Sequence, residues 1–306
     1  MEERYMKMSD GHFVFTRTLT PAIPCIGHFH ILHGMAEHSG RYLKFARILC
    51  AAGYAVTMHD HRGHGETASY NGTLGFFADK NGFDRVVEDA HEVIITMHAD
   101  FADVPLIVFG HSMGSFIARR YIQLYSNDVD NVILCGTGNV STLHKIGHYV
   151  AQVLAMQRGK ELESPLLNKL SFGSFNKQVP NAKTAYDWLC SVEHEVQKYI
   201  DDPYCGFIPT NQFFVDLTAG LMVLNRKKEI EKINKNLPIL LISGSKDPVG
   251  DGGQGVYTVA ERFVAAGIQD VTVYLFEDKR HEILNEDNHQ AVHQVLLRWL
   301  EKYDTK

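Results

Sequence analysis

Gly110-His-Ser-Met-Gly114 is the only G-x-S-x-G in the chain, and it stands where one hydrophobic rhythm gives way to another. Before it, Leu106-Ile-Val-Phe109 is a continuous apolar run of strand type. After it, Phe116, Ile117, Tyr121 and Tyr125 recur at helical spacing. A strand that turns sharply through a serine into a helix is a nucleophile elbow. The flanking glycines suit it, because larger side chains would collide across so tight a turn. The N-terminus of the following helix also favours negative charge developing on the reacting oxygen.

A serine hydroxyl is a poor nucleophile until a base takes its proton, and that base needs an acid to hold its tautomer. With such an elbow, acid and histidine follow the serine in chain order, each just after a strand. The apolar run 237–242 predicts a buried strand, and Ser243-Gly-Ser-Lys-Asp247-Pro leaves its end, so Asp247 is the acid candidate. Asp251 is a local rival, further along beyond Pro248 and Gly250. A strand over 271–276 runs into "FEDKRHEIL", which supplies His281. Of the 17 histidines, His281 is the one in the expected place; His289 and His293 fall on a C-terminal helix, where exposed or capping roles are expected. His111 lies inside the elbow and is expected to pack beside Ser112. For an oxyanion hole, the backbone N–H of Met113 is one donor. The N–H of Met35, in "HGM" after the strand 25–32, is the other candidate.

Outward from the elbow, short apolar runs alternate with helical periodicity, the pattern of a mainly parallel sheet with helices on both faces. Strands are predicted over 13–18 (an edge strand), 25–32, 55–58, 106–109, 132–135, 237–242 and 271–276. Helical faces are carried by Tyr42, Phe45, Ala46 and Leu49, by Phe83, Val86, Val87, Ala90, Ile94 and Met97, and by Val292, Val295, Leu296 and Trp299. Between Asn139 and Asn236 the strand rhythm stops, and the chain becomes helical in pattern and rich in aromatics. An insertion leaving the carboxyl end of a parallel strand would lie over the ligand site as a lid. The expected division is therefore a core of residues 1–138 and 237–306, with a helical cap at 139–236. Most of the insertion's aromatics are expected to pack a small core of its own.

With 306 residues and 45% hydrophobic content, the chain is long enough for one large α/β unit carrying an insertion. A net charge of −6, with scattered rather than clustered Lys and Arg, argues against nucleic acid or a strongly anionic membrane as main partner. The N-terminal stretch lacks the apolar run of a signal peptide, and no segment approaches a membrane span. The 5 cysteines form no C-x-x-C pair, which points to buried free thiols and a cytoplasmic setting.

His59, His61 and His64 in "MHDHRGHGE" fall at H-x-H-x-x-H, close to the zinc-holding run of metallo-β-lactamase-type hydrolases. That run asks for an aspartate where this chain has Gly63, and no further ligands follow at recognisable spacing. The stretch instead reads as a tight loop braced by Asp60 and Arg62, with its histidines packed or hydrogen-bonded. No metal and no cofactor is expected.

Taken together in order, "HGMAEHSGRY" (33–42), "HDHRGHGE" (59–66), "GHSMGS" (110–115), "SGSKDPV" (243–249) and "RHEILNE" (280–286) resemble monoacylglycerol lipases and the related bacterial lysophospholipase-like α/β-hydrolases. The resemblance implies the α/β-hydrolase fold, with Ser112 as nucleophile, His281 as base and then acid, and Asp247 as the orienting acid. It implies Met35 and Met113 as oxyanion donors. Glu37 and Arg41 match positions that reach toward a glycerol head group; a salt bridge bracing the oxyanion loop accounts for them equally well. Met35-Ala36 replaces smaller, glycine-containing versions of that loop, which would narrow the acyl entrance.

The reading favoured by these residues is a serine hydrolase of acyl esters such as monoacylglycerol or lysophospholipid, with at most transient membrane-surface contact through the lid. An amidase or aminopeptidase could use the same triad, with Glu161, Glu163, Glu193 or Glu195 receiving an α-amine. Two further classes fit parts of the pattern: a ligand-binding protein on a lapsed hydrolase fold, and a metallohydrolase.

Overall fold

The computed structural model describes residues 1–303. Its eight strands are β1 (Glu2–Lys7), β2 (Phe13–Leu19), β3 (Gly27–Leu32), β4 (Tyr54–His59), β5 (Leu106–His111), β6 (Asn131–Cys135), β7 (Ile239–Gly244) and β8 (Val271–Phe276). They form one sheet in the order β1-β2-β4-β3-β5-β6-β7-β8. The pairs β1/β2 and β2/β4 are antiparallel and the rest parallel. Strand β2, expected at the edge, is an inner strand, because Glu2–Lys7 pairs along its outer side. The charged Glu-Glu-Arg-Tyr-Met-Lys segment has no buried face, and polar residues of this kind suit an edge that must not recruit another chain.

The expected helices are present: α1 (Leu43–Ala51), α3 (Gly82–His98), α4 (Met113–Tyr125) and α11 (His289–Leu300). Two more, α2 (Gly65–Asn71) and α10 (Gln254–Ala265), were not anticipated. Central strands bury both faces. Ile107, Phe109 and Ile133 point to a cluster with α1 and α11. Leu106, Val108 and Val132 point to another with α3, α4 and α10. Such two-sided burial is why these runs read as continuously apolar.

Between β6 and β7 lie α5 (Thr142–Arg158), α6 (Pro165–Phe172), α7 (Glu193–Asp201), α8 (Asn211–Leu224) and the short α9 (Lys227–Ile230). Trp188, Leu189, Cys190, Val196 and Tyr199 make a separate small core with Phe172 and Phe175. Phe213 and Phe214 depart from that pattern, because they join the main cluster beneath α3 and α4. A β-carbon added at Gly220 would run into the Phe83 ring, so α8 packs directly on α3. This part of the insertion belongs to the core layer rather than lying over it. Among the described residues all five cysteines are free; Cys135 and Cys190 are buried, while Cys25, Cys50 and Cys205 are only half-buried. No helix among the described residues is long and apolar enough to cross a membrane.

A polar seam runs through this otherwise apolar interior. His98 Nδ1 meets His28 Nδ1 at 3.0 Å, and His28 Nε2 meets Thr57 Oγ1 at 2.7 Å. Thr57 Oγ1 meets His30 Nδ1 at 2.7 Å, and His30 Nε2 meets His59 Nδ1 at 2.9 Å. His59 Nε2 meets His61 Nδ1 at 3.0 Å, and His61 Nε2 ends on the His33 carbonyl at 3.1 Å. A carbonyl only accepts, so His61 donates from Nε2 and accepts at Nδ1. Applied link by link, that rule gives every ring in the chain one donor and one acceptor while all stay neutral. Burial is the main reason these imidazoles resist protonation: it lowers His59 and His64 to about 4 and His28 to about 3. The histidines of "HDHRGHGE" therefore bond to protein groups. Asp60 accepts from Ser39 N and Glu66 N at 2.9 Å, and Arg62 bonds Asp89 and Asp10, bracing the loop.

These depressed values make stability depend on pH. Above 6.5, the ordinary histidine value, both folded and unfolded chains hold these rings neutral and the contribution is complete. Below it the unfolded chain takes up protons that the folded one refuses. Stability is therefore expected to fall progressively from pH 6.5 toward pH 4, read as a declining urea midpoint with proton uptake on unfolding.

Candidate active site

Ser112 sits between β5 and α4 at φ 52°, ψ −119°, a strained backbone for a residue with a side chain. A β-carbon at Gly110 would strike the Gly114 carbonyl, and one at Gly114 would strike the Leu32 carbonyl, so the turn closes only because both lack one. Gly34 presses on the other side, its hypothetical β-carbon 3.2 Å from Ser112 Cβ. Ser112 is thus wedged between the start of α4 and the loop after β3.

Asp247, in the loop after β7, is fully buried. It meets His281 Nδ1 at 2.9 Å through both carboxylate oxygens. Ser243 Oγ donates to it at 2.8 Å and Val249 N–H at 2.9 Å. Burial alone would raise its pKa, but the His281 charge and these hydrogen bonds outweigh that and lower it. The same pair works in reverse on His281: burial would lower its pKa, and Asp247 raises it above the usual value. Asp251 is exposed on the surface of the following turn and takes no part.

The His281 ring lies between His111, 4.7 Å between centroids, and Trp188 of the insertion, 5.1 Å away. Gly136, at φ 60°, passes beneath it; a β-carbon there would come within 2.9 Å of His281 Cε1. Burial lowers His111 to about 4, so it stays neutral beside His281. Ser112 and His281 line one cavity of about 170 Å³, and no hydrogen bond joins their side chains among the described residues. Of the C-terminal helix histidines, His289 is half-buried and bonds the Glu286 carbonyl at 2.8 Å. His293 corrects the expectation of exposure: it is buried and stacks on Phe45 at 5.3 Å.

The backbone N–H groups of Met35 and Met113 have no partner among the described residues. The peptides around Met35 are held from behind. His33 Nδ1 donates to the Gly34 carbonyl at 2.7 Å, and Gly34 N–H donates to Glu37 Oε1 at 2.5 Å. Ala36, at φ 51°, offers its carbonyl to Tyr199 Oη at 2.9 Å and to Gly206 N–H at 3.0 Å. The loop with Met35-Ala36 thus adopts a conformation that glycine would tolerate more readily, and the insertion clamps it.

Glu37 and Arg41 belong to this bracing. Glu37 accepts from Tyr42 Oη at 2.7 Å and from Arg41 at 2.6 Å. Arg41 grips Glu282, the neighbour of His281, with two bonds of 2.7 and 2.8 Å. Glu37 also borders the cavity, whereas Arg41 borders a small crevice beside it. Trp188, Gly136, Tyr199 and Glu282 surround the site and were not foreseen; only Glu282, adjacent to His281, carried any signal in the sequence. Glu37→Gln is expected to cost about 1–3 kcal/mol of folding stability by leaving buried donors short of an acceptor, measured by urea unfolding.

The chain matches the family described as "Serine aminopeptidase, S33" (Hydrolase_4) over residues 25–288. It is 28% identical to the monoglyceride lipase of Homo sapiens over 292 residues, covering 94% of this chain and 86% of that one. The monoacylglycerol lipase of Mycolicibacterium smegmatis is 27% identical, with 88% of this chain and 86% of that one covered. Among solved structures, a highly thermostable carboxyl esterase from Bacillus coagulans in complex with glycerol superposes with a TM-score of 0.93 at 28% identity, over 99% of both chains. The chain therefore belongs to the Hydrolase_4 serine aminopeptidase family and has the α/β-hydrolase fold.

Proposed function

We propose that the chain is a carboxylic ester hydrolase that cleaves acyl esters, such as monoacylglycerols or lysophospholipids, through Ser112, His281 and Asp247. The observation that carries the reading is the buried Asp247–His281 pair, whose imidazole borders the same cavity as Ser112. Asp247 holds the hydrogen on His281 Nδ1, which leaves Nε2 as the base. Nε2 takes the Ser112 proton as Oγ attacks the ester carbonyl. The N–H groups of Met35 and Met113 receive the oxyanion, each such donor being worth about 3–4 kcal/mol in other hydrolases. The imidazolium then returns its proton to the departing alcohol, leaving an acyl-enzyme. Water activated by the same nitrogen releases the acid and restores Ser112.

Two cavities that share Ser112 and Met35 suit the two halves of such a substrate. One, of about 370 Å³, is bordered by Met113, Phe116, Leu170, Phe214, Leu217 and Leu221, which fits an acyl chain. The other, the smaller at about 170 Å³, sets Glu37, His111 and Lys169 among the aromatic walls of Phe172, Tyr186 and Trp188, which leaves room for the alcohol part. Residues 139–236 act as the cap over this site, with α8 also supporting the core. The cap turns an apolar stripe of α5 outward, including Leu143 (75% exposed) and Met156 (86% exposed), suited to brief contact with lipid. The monoglyceride lipase and carboxyl esterase relatives support ester chemistry. Glu161, Glu163, Glu193 and Glu195 stand away from the cavity, and the carboxylates at its wall, Glu37 and Glu282, are engaged by Arg41. This favours esters over substrates with a free α-amine.

A fluorophosphonate should label the protein at Ser112, and Ser112→Ala should abolish both labelling and turnover of p-nitrophenyl esters. Asp247→Asn should lower kcat by about 10⁴-fold, as loss of the orienting acid does elsewhere. Faster turnover of aminoacyl amides than of matched esters would replace this reading with an aminopeptidase. Because Asp247 raises the pKa of His281, the neutral base is lost on going down through a value above 6.5. The acid limb of kcat/KM is accordingly expected above pH 6.5.

A further inference from the structure

We propose that His38, Asp202 and Cys205 form a zinc-binding site that joins the oxyanion loop to the helical insertion, separate from the Ser112 centre. One ligand atom from each residue lies within 4.8 Å of the other two. His38 Nε2 is 2.9 Å from Asp202 Oδ2. The segment Asp202-Pro203-Tyr204-Cys205 closes as a turn in which Cys205 N–H donates to the Asp202 carbonyl at 3.0 Å. That turn brings two ligands three residues apart to one side, as the C-x₂-C pairs of structural zinc sites do. Tyr204 N–H holds Asp202 Oδ1 at 2.9 Å, which leaves Oδ2 for the site.

The donor set selects the metal. An imidazole, a thiolate and a carboxylate suit borderline-soft Zn²⁺, whereas Mg²⁺ and Ca²⁺ take oxygen. Thiolate and carboxylate together match the charge of a divalent ion. Three protein ligands leave the fourth tetrahedral position to water. Burial holds the Cys205 thiol protonated, with Arg41 offsetting part of that effect. Binding therefore forms a zinc–sulfur bond and releases the thiol proton to solvent. Gly40 N–H donates to His38 Nδ1 over 3.3 Å, so Nε2 carries the ring hydrogen without metal. Zinc moves that hydrogen to Nδ1 and gives up this long bond.

The position gives the site a consequence. Segments 36–38 and 202–206 are already tied by the Gly206 N–H bond to the Ala36 carbonyl, and His38 follows the loop that carries Met35. Gly206 and Phe207 border the cavity beside Ser112. Zinc would clamp this junction and rigidify one wall of the cavity, taking no part in hydrolysis.

The test is a zinc titration of the wild type and of Ser112→Ala against a chromogenic chelator, with cobalt as a spectroscopic substitute. Expected are one zinc per chain in both proteins, a higher melting temperature with zinc, and a thiolate-to-cobalt charge-transfer band. Cys205→Ser and His38→Gln should weaken binding by at least the roughly 10–100-fold that loss of an outer-shell partner costs. Cys205→Ser should melt near the wild type without metal and gain nothing from zinc. Absence of stoichiometric zinc in the wild type would overturn the proposal. So would unchanged affinity in Cys205→Ser, or a cobalt spectrum without a thiolate band. Because binding is read directly, its failure would leave the ester-hydrolase reading standing.

Discussion

The start of α4 presses Gly114 against the carbonyls of Leu32 and His33 at the end of β3, and the site is organised around that close approach. It forces Ser112 into the turn at φ 52° and brings the β3 loop against the serine. The two backbone N–H groups proposed to hold an oxyanion, those of Met35 and Met113, lie on either side of this contact. A β-carbon at residue 114 would separate them. Backbone packing thus sets the geometry of a site whose other side chains, Asp247 and His281, come from two further loops.

Around that contact the structure spends polar groups freely, but in bonded sets. Glu37, Arg41 and Glu282 link the loop after β3 to the His281 loop, and Asp247 is saturated by Ser243, Val249 and His281. The chain of imidazoles from His98 to His61 ends on the carbonyl of His33. Buried polar groups are costly when unpaired and rigid when satisfied. Here the rigidity is delivered to the segment that carries Met35.

Much of this was legible residue by residue. The runs 106–109 and 271–276 announced strands because they are buried on both faces or lie in register beside a buried neighbour. The order Ser112, Asp247, His281 followed from loops leaving successive strand ends. Strand β1 escaped notice because Glu2–Lys7 buries no face, and edge pairing leaves no hydrophobic period. Helix α8 read as lid although Phe213 and Phe214 pack in the core, since an apolar helix does not declare which body it will join. His293 looked exposed on a helix whose inner face accommodates it against Phe45.

By itself, the sequence determined the parallel sheet, the elbow and the residue types that can do acyl chemistry, because these rest on local periodicity and on spacing from strand ends. Where the histidines of "HDHRGHGE" find partners was decided by tertiary structure, which turns His59 and His61 onto His30, each other and the His33 carbonyl, and His64 Nδ1 onto the Arg62 carbonyl. Tertiary structure alone also set Trp188 and Gly136 about the His281 ring and brought His38 to Asp202 across 164 positions of sequence. Local pattern records which face of an element is apolar. It carries no record of which distant polar group will satisfy a buried donor, since that partner is chosen only when the layers close.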